Sequence, residues 1–356
     1  MSVSKDPSGK WMVSVRHKDY TGKVKQTLKR GFKTKREGQA WEREFLKKAH
    51  TNLDMTFESF VEIYTSDIKD RVKKNTWLTK ENIINSKLLP HFKDKKINEI
   101  KPADVIAWQN HMMQSKNDKG EKFSPTYLKT IHNQLSAIFN HAVRFYELPS
   151  NPAQKAGNMG KEKTKEMLFW TKEEYLKFAD SMMDKPISFY AFELLYWCGL
   201  RMGELLALTA EDFDFEKSTV RINKSYQRIE KEDIITEPKT PKSNRIISMP
   251  DFLCEEIEEY VKSIYGLEPP DRLFQITKSY LHHEMDRGSK EQNIKRIRVH
   301  DIRHSHVSLL IDMGFSAVAI ADRVGHESID ITYRYAHLFP TKQSEIANKL
   351  NVERGA

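Results

Sequence analysis

Arg201 follows Gly199-Leu200 in the string GLRMGELLAL, and Lys239 stands in EPKTPKSNR. His300 and Arg303 share HDIRHSH, three residues apart and so on adjacent turns of one helix or its leading edge. His326 lies in VGHES, and Tyr335 comes nine residues later in ITYRYAHLF. Two arginines, a lysine, two histidines and a tyrosine in this order suit nucleophilic attack on a phosphodiester. Such attack builds charge on non-bridging oxygens, which two guanidinium forks can hold bidentately. A phenol becomes a nucleophile once its proton has somewhere to go. The departing oxygen needs an acid, a role for a lysine on a mobile hairpin. With guanidinium groups carrying the electrostatic load, this chemistry calls for no metal and no cofactor.

Each residue also has an ordinary reading: a salt-bridge partner, a solvated lysine, a histidine at a helix start, a core tyrosine. The joint pattern separates the two readings. HDIRHSH also raises a metal, because His300 and His304 lie four apart on one helical face. It lacks the glutamate of HExxH, and no Cys or Asp cluster stands nearby. His282-His283-Glu284 does not repair this, since adjacent residues face different ways.

The elements that must position these groups follow from the rest of the chain. Its 356 residues suit two or three domains, with 38% hydrophobic and 31% charged residues. A net charge of +9 is compatible with a polyanionic partner. Cys198 and Cys254 provide neither a disulfide framework nor a zinc quartet, which predicts a reducing cytoplasm. No apolar leader opens the chain and no apolar run spans a bilayer, so neither secretion nor membrane insertion is expected.

Trp11, Val13 and Val15 alternate with polar residues as in a half-buried strand, Asp19–Gly22 signals a turn, and Val24–Phe32 can return as further short strands. Thr34–Ala49 reads as a helix carrying Trp41 and Phe45. Lys10, Arg16, Lys18, Lys23, Lys25, Lys29 and Arg30 make this sheet either a solvated face or a small DNA-docking surface. Four helical patterns follow: Phe57 to Tyr64 behind Thr56; a stretch around Ile83, Ile84 and Leu88 ending near Pro90; one from Pro102 with Val105, Ile106 and Trp108; and one from Ser124-Pro125. The last has Leu128, Ile131, Leu135, Ile138, Ala142 and Phe145 on one face. Polar, lysine-rich KAGNMGKEKTKE reads as a linker. Thr171-Lys-Glu-Glu174 is a capping box, and apolar Ile187–Cys198 predicts a buried helix stopped by Gly199. Val220–Ile222, Ile234-Ile235 and Ile246–Met249 are strand candidates, and helical patterns dominate from Phe252 onward.

The strings GLRMGELLALTAEDFDF, PKTPKSNRIISMP, HDIRHSHVSLLIDMG and VGHESIDITYRYAHL resemble the successive boxes of the tyrosine recombinases, especially integrases of phages and conjugative transposons. The resemblance implies a multidomain, mainly α protein. Residues 1–52 would form an arm-type DNA-binding domain with a small three-stranded β-sheet and a helix. Residues 53–154 would be a four-helix core-binding domain, 155–166 a linker, and 167–356 a mixed, mostly α catalytic domain with a small antiparallel β-sheet. It implies that Arg201 and Arg303 clamp the scissile phosphate, Lys239 protonates the leaving 5′-oxygen, and His300 assists proton handling at the tyrosine. His326 would hydrogen-bond a phosphate oxygen, and Tyr335 would attack to give a 3′-phosphotyrosyl link.

Lys242 competes with Lys239, which holds the family's PKT position. Tyr333 competes with Tyr335, which has the family's spacing from His326. His304 and His306 read as structural, and Glu204 either orients Arg201 or is a surface carboxylate. The implied partners are double-stranded DNA at core and arm-type sites, a homo-tetramer in the synaptic complex, docked through the C-terminal tail, and an excisionase or DNA-bending protein. The implied setting is the nucleoid of a bacterial host. A type IB-like topoisomerase and an inactive DNA-binding protein are the alternatives.

Overall fold

The computed structural model describes residues 3–7, 9–18, 24–49, 53–160, 167–238, 240–333 and 335, with 351 and 354. Lys239, the Asp19–Gly22 turn, the second half of the expected linker and nearly all of the tail after Tyr335 lie outside them. The chain forms two compact units, Met1–Thr164 and Lys165–Ala356.

The first unit opens with β1 (Val3–Lys5), β2 (Trp11–Lys18) and β3 (Val24–Phe32), an antiparallel sheet in that order, followed by helix α1 (Lys35–Ala49). The alternation of β2 puts Val13 and Val15 on the buried face with Val3 of β1. Val24–Phe32 is one strand rather than several, and the third strand comes from Val3–Lys5. Those three residues show too little alternation to be recognised alone; pairing Val3 with Val13 makes them a strand.

Helices α2 (Phe57–Ile68), α3 (Lys74–Ile83), α4 (Leu89–Phe92), α5 (Pro102–Gln114), α6 (Pro125–Phe145) and α7 (Pro152–Ala156) build a second core. Thr56 and Ser124 cap α2 and α6, accepting from Ser59 N and Tyr127 N at 3.2 Å each. The second pattern does not stop at Pro90. A π-turn at Ile84–Leu88, with Leu89 N–H bonded to Ile84 O, resets the helix so that Pro90 falls in the first turn of α4, where its missing N–H costs nothing. Ile106 and Phe145 are exposed, while their neighbours Val105, Trp108, Ile138 and Ala142 are fully buried. Residues 155–160 at the start of the expected linker pack on this unit: Lys155 and Ala156 complete α7, Met159 is buried, and Gly157 O accepts from Gln109.

In the second unit α8 (Lys172–Asp180) begins at the Thr171–Glu174 capping box, and α9 (Pro186–Trp197) is buried on most of its circumference. The short α10 (Met202–Leu205) leads to β4 (Phe213–Asp214), β5 (Thr219–Ile222), the hairpin β6 (Ser225–Ile229) and β7 (Glu232–Thr236), and β8 (Arg245–Ser248). β4, β5 and β8 form one antiparallel sheet, and β6 and β7 pair separately. Then come α11 (Asp251–Ser263), α12 (Lys278–Glu291), α13 (Asp301–Asp312), α14 (Ala317–Val324) and α15 (Ile329–Tyr333). Among the described residues, no helix is long and apolar enough to cross a membrane.

Asn151 joins α7 to α6. Its Nδ2 donates to Ser136 O, Ser136 Oγ and Asn140 Oδ1, and its Oδ1 accepts from Ala153 N and Gln154 N. Asn151→Ala removes the cap, leaves the buried Ala153 N–H without its acceptor and loses the bonds to Ser136 and Asn140, so a loss of about 2 kcal/mol is expected. Urea unfolding of the variant checks this; an unchanged midpoint rules it out.

Candidate active site

Gly199 ends the buried α9 with φ of +62°, and a Cβ there would lie 2.5 Å from the His306 ring. Only glycine meets both conditions, so the chain turns out of the core at one defined place and presents Arg201. The Arg201 backbone N–H donates to Glu204 Oε2 at 2.9 Å and its Nη1 to Glu204 Oε1 at 2.6 Å. Its Nη2 reaches Gly325 O at 2.9 Å. Glu204 is therefore buried and orients the arginine; it is not a surface carboxylate.

A second guanidinium shares that carboxylate. Arg245, at the start of β8, donates from Nη2 to Glu204 Oε2 at 2.9 Å and from Nη1 to Oε1 at 3.2 Å. Its Nε donates to Arg323 O at 3.0 Å, tying the sheet to α14. Burial alone would raise the Glu204 carboxyl, but the Arg245 hydrogen bonds and the Arg245 and Arg201 charges outweigh it and hold its pKa below the usual range.

Arg303 enters from α13 and is buried. Its Nη1 donates to Gly199 O at 2.7 Å and its Nη2 to Val324 O. Burial, then the neighbouring Arg201, push it down to about 9, which leaves it cationic at neutral pH. Arg201 and Arg303 thus converge on the consecutive carbonyls of Val324 and Gly325. The α14 helix ends there because Gly325 has φ of +66° and a Cβ would meet Lys242 O at 2.9 Å. Three guanidinium groups gather around one carboxylate, leaving a positive excess.

The histidines surround this excess as neutral rings. His326 is buried just beyond Gly325, with Nδ1 2.8 Å from Thr332 Oγ1; burial, Arg303 and Arg201 lower it to about 3. His300, the N-cap residue of α13, is exposed, and desolvation followed by the Arg303 charge lowers it. His306 accepts from Arg323 Nε at 3.2 Å and packs on Gly199, a structural role. Tyr335 is buried, whereas Tyr333 is 54% exposed, so the two point apart as their spacing predicts. The Tyr335 hydroxyl is hydrogen-bonded to His304 Nδ1, a residue that reads from sequence as structural. Lys242 is exposed, and the same segment holds Ser243, whose Oγ is 3.0 Å from Thr240 Oγ1.

Arg201, His300, Arg303, His326 and Tyr335 are therefore brought to one site, while Lys239 lies outside the described residues. Sequence reasoning missed Arg245 and the His304 contact. Arg245 stands in a quoted box but reads as one more surface cation, and His304 shares the helix of Arg303 without revealing which neighbour it meets. Among the described residues, no three His, Cys, Asp or Glu side chains gather as metal ligands would.

Residues 161–342 match the model of the phage integrase family. Residues 56–113 match the family's N-terminal SAM-like domain and residues 1–49 an arm DNA-binding domain. The chain belongs to the phage integrase family. Its activity is that of a tyrosine site-specific recombinase, an integrase of a mobile element. The ICEBs1 integrase of Bacillus subtilis is 28% identical over 378 residues, covering 99% of each chain. The Tn1549 transposon integrase, solved in complex with circular intermediate DNA, shares the fold with a TM-score of 0.69 at 22% identity, covering 85% of this chain and 100% of that one. The lambda integrase tetramer bound to a Holliday junction gives a TM-score of 0.59 at 16% identity over 94% of each chain. Full-length similarity to an integrase separates the protein from the topoisomerase alternative.

Glu204 predicts a pH effect. A carboxyl lowered in the folded state contributes stability that is fully present above its unfolded value, about 4.3, and lost as pH falls through the folded value. Glu204→Gln should lower stability at pH 7 by about 3 kcal/mol, chiefly by leaving the buried Arg245 guanidinium, and the half-buried Arg201 beside it, less compensated. It should also flatten the loss of stability below pH ~4.3. Thermal melts across pH 3–7 compare the two; identical acid limbs would contradict the assignment.

Proposed function

We propose that the site cleaves and rejoins DNA strands through Tyr335, with Arg201 and Arg303 clamping the scissile phosphate. The observation that carries this reading is their convergence at the Val324–Gly325 turn, with one carboxylate to offset three guanidiniums. That imbalance suits a phosphodiester anion whose charge grows in the pentavalent transition state. His326, neutral and fixed by Thr332, hydrogen-bonds a phosphate oxygen without adding repulsion. His300 assists proton handling, and Lys239 protonates the leaving 5′-oxygen. Tyr335 forms the 3′-phosphotyrosyl bond as the P–O5′ bond breaks. The link conserves the bond energy, so a partner strand's 5′-hydroxyl can reseal it without ATP.

Residues 1–52 serve as the arm-binding domain and 167–356 as the catalytic domain, and the core-binding domain extends from 53 through 160, because residues 155–160 pack on it and do not belong to the linker. Arg16 of β2 and Arg30 of β3, exposed on the same face of the sheet, support an arm-site role. The Holliday-junction tetramer of lambda integrase and the DNA complex of the Tn1549 enzyme support duplex DNA as partner and a tetramer as the working unit. An excisionase or DNA-bending protein would set direction, on the nucleoid of a bacterial cytoplasm.

The test uses a nicked duplex spanning the junction of the element's own ends, which traps the covalent adduct. Tyr335→Phe should form none, while Tyr333→Phe still does. Arg201→Ala or Arg303→Ala should slow cleavage by about 10²- to 10³-fold with DNA binding retained. An adduct on Tyr335→Phe would remove the nucleophile assignment. Replacing the scissile O5′ by sulfur makes a leaving group that needs no acid. That substrate should rescue Lys239→Ala, and rescue of Lys242→Ala instead transfers the acid to Lys242.

A further inference from the structure

Nucleophilic attack by Tyr335 requires a destination for its phenolic proton, and a free phenol ionises only near pH ~10. His304, one residue past Arg303 on α13, meets that hydroxyl. Its Nδ1 is hydrogen-bonded to Tyr335 Oη, and the two rings stand 5.5 Å apart, tilted by 57°. On the other edge of the imidazole, Nε2 lies 3.7 Å from Asp301 Oδ1. Asp301 is completely buried, fixed by Arg298 through a backbone N–H to Oδ2 at 2.9 Å and Nη2 to Oδ1 at 2.8 Å. His300 sits 5.3 Å from His304, edge to face.

We propose that His304 is a catalytic base for Tyr335, with Asp301 as its positioning residue, forming a carboxylate–imidazole–phenol relay. The inference rests on Tyr335 being the nucleophile. With the ring hydrogen on Nε2, facing the Asp301 carboxylate, the Nδ1 lone pair meets the hydroxyl. In cleavage the Oη–H bond breaks and its proton passes to His304 Nδ1. Oη bonds to phosphorus, the P–O5′ bond breaks, and the leaving oxygen takes its proton from the general acid. In religation the 5′-hydroxyl attacks phosphorus as its proton returns to the general acid, the Oη–P bond breaks, and His304 returns its proton to Oη. Asp301 stabilises the imidazolium between these steps, the logic of a nucleophile, base and orienting carboxylate.

The groups facing His304 are Arg298, His300, Asp301 and Arg303 from its own helix and lead-in, with His326 and Tyr335 from the segment after α14. Burial, then His300, lower His304 to about 4, so at neutral pH it is unprotonated and able to accept. A bound phosphodiester adds negative charge beside Arg201 and Arg303, which raises the affinity of the ring for a proton when Tyr335 attacks.

The test is the single-turnover rate of adduct formation from pH 6 to 9 on the nicked junction duplex, with DNA binding measured in parallel. Wild type should vary little with pH. His304→Ala and His304→Gln should both be slower at pH 7 by about 100-fold, with rates rising about tenfold per pH unit as the phenol ionises unaided. Glutamine can hold the hydroxyl but cannot take its proton, so it distinguishes a base from a tether. 3-Fluorotyrosine at position 335, a more acidic phenol, should restore part of the loss. Rates equal to or above wild type in His304→Ala would mean that His304 withholds the tyrosine. Recovery by His304→Gln, or a slowed rate with the wild-type pH profile, would reduce it to a tether. An adduct on Tyr335→Phe is a separate failure, that of the nucleophile assignment itself.

Discussion

The pairing of Arg201 and Arg245 on the buried Glu204 carboxylate is the contact on which the catalytic unit depends. Two guanidiniums this close repel each other, and a lone buried charge costs several kcal/mol (on the order of 3–5) when its partner is removed. One carboxylate with two oxygens answers both, and the same hydrogen bonds draw α10 against the start of β8. Arg245 then reaches the carbonyl of Arg323, and Arg201 that of Gly325, so the end of α14 is pinned to the same cluster. Arg303 completes it with bonds to the carbonyls of Gly199 and Val324, the two chain breaks that glycine makes possible.

The cluster is deliberately unbalanced. Backbone carbonyls hold Arg303 without neutralising it, so its charge stays available to an anion. Around it the imidazoles of His304 and His326 are kept neutral by burial and by the arginines. As neutral rings they do not add to the repulsion. On the proposed reading, a phosphodiester entering this field would relieve the excess, and its transition state, carrying more negative charge, would relieve it further. That difference is what accelerates a reaction.

The first unit has a different physical task. Its helical core and its N-terminal sheet bury separate apolar clusters. Caps such as Thr56, Ser124 and Asn151 fix the ends of its helices, while Arg16 and Arg30 stand exposed on one face of the sheet.

Much of this was legible before any fold was built. Periodicity marked the helices, because a buried face repeats at 3.6 residues whatever it packs against. The caps at Thr56, Ser124 and Thr171 depend on local geometry and were equally readable. Arg201, His300, Arg303, His326 and Tyr335 stood out by type and order, and their resemblance to family boxes named the chemistry. The three-residue β1, the continuation of the helix past Pro90, and the short β4 and β6 were not readable, since each exists only through a partner elsewhere in the chain. The same holds for the site. That Glu204 is buried, that Arg245 joins it, and that His304 rather than a neighbour meets the Tyr335 hydroxyl follow from contacts between residues more than thirty positions apart in sequence. Side-chain type and local spacing determine which chemistry the chain carries; only tertiary packing decides which charge is compensated and which proton has a path.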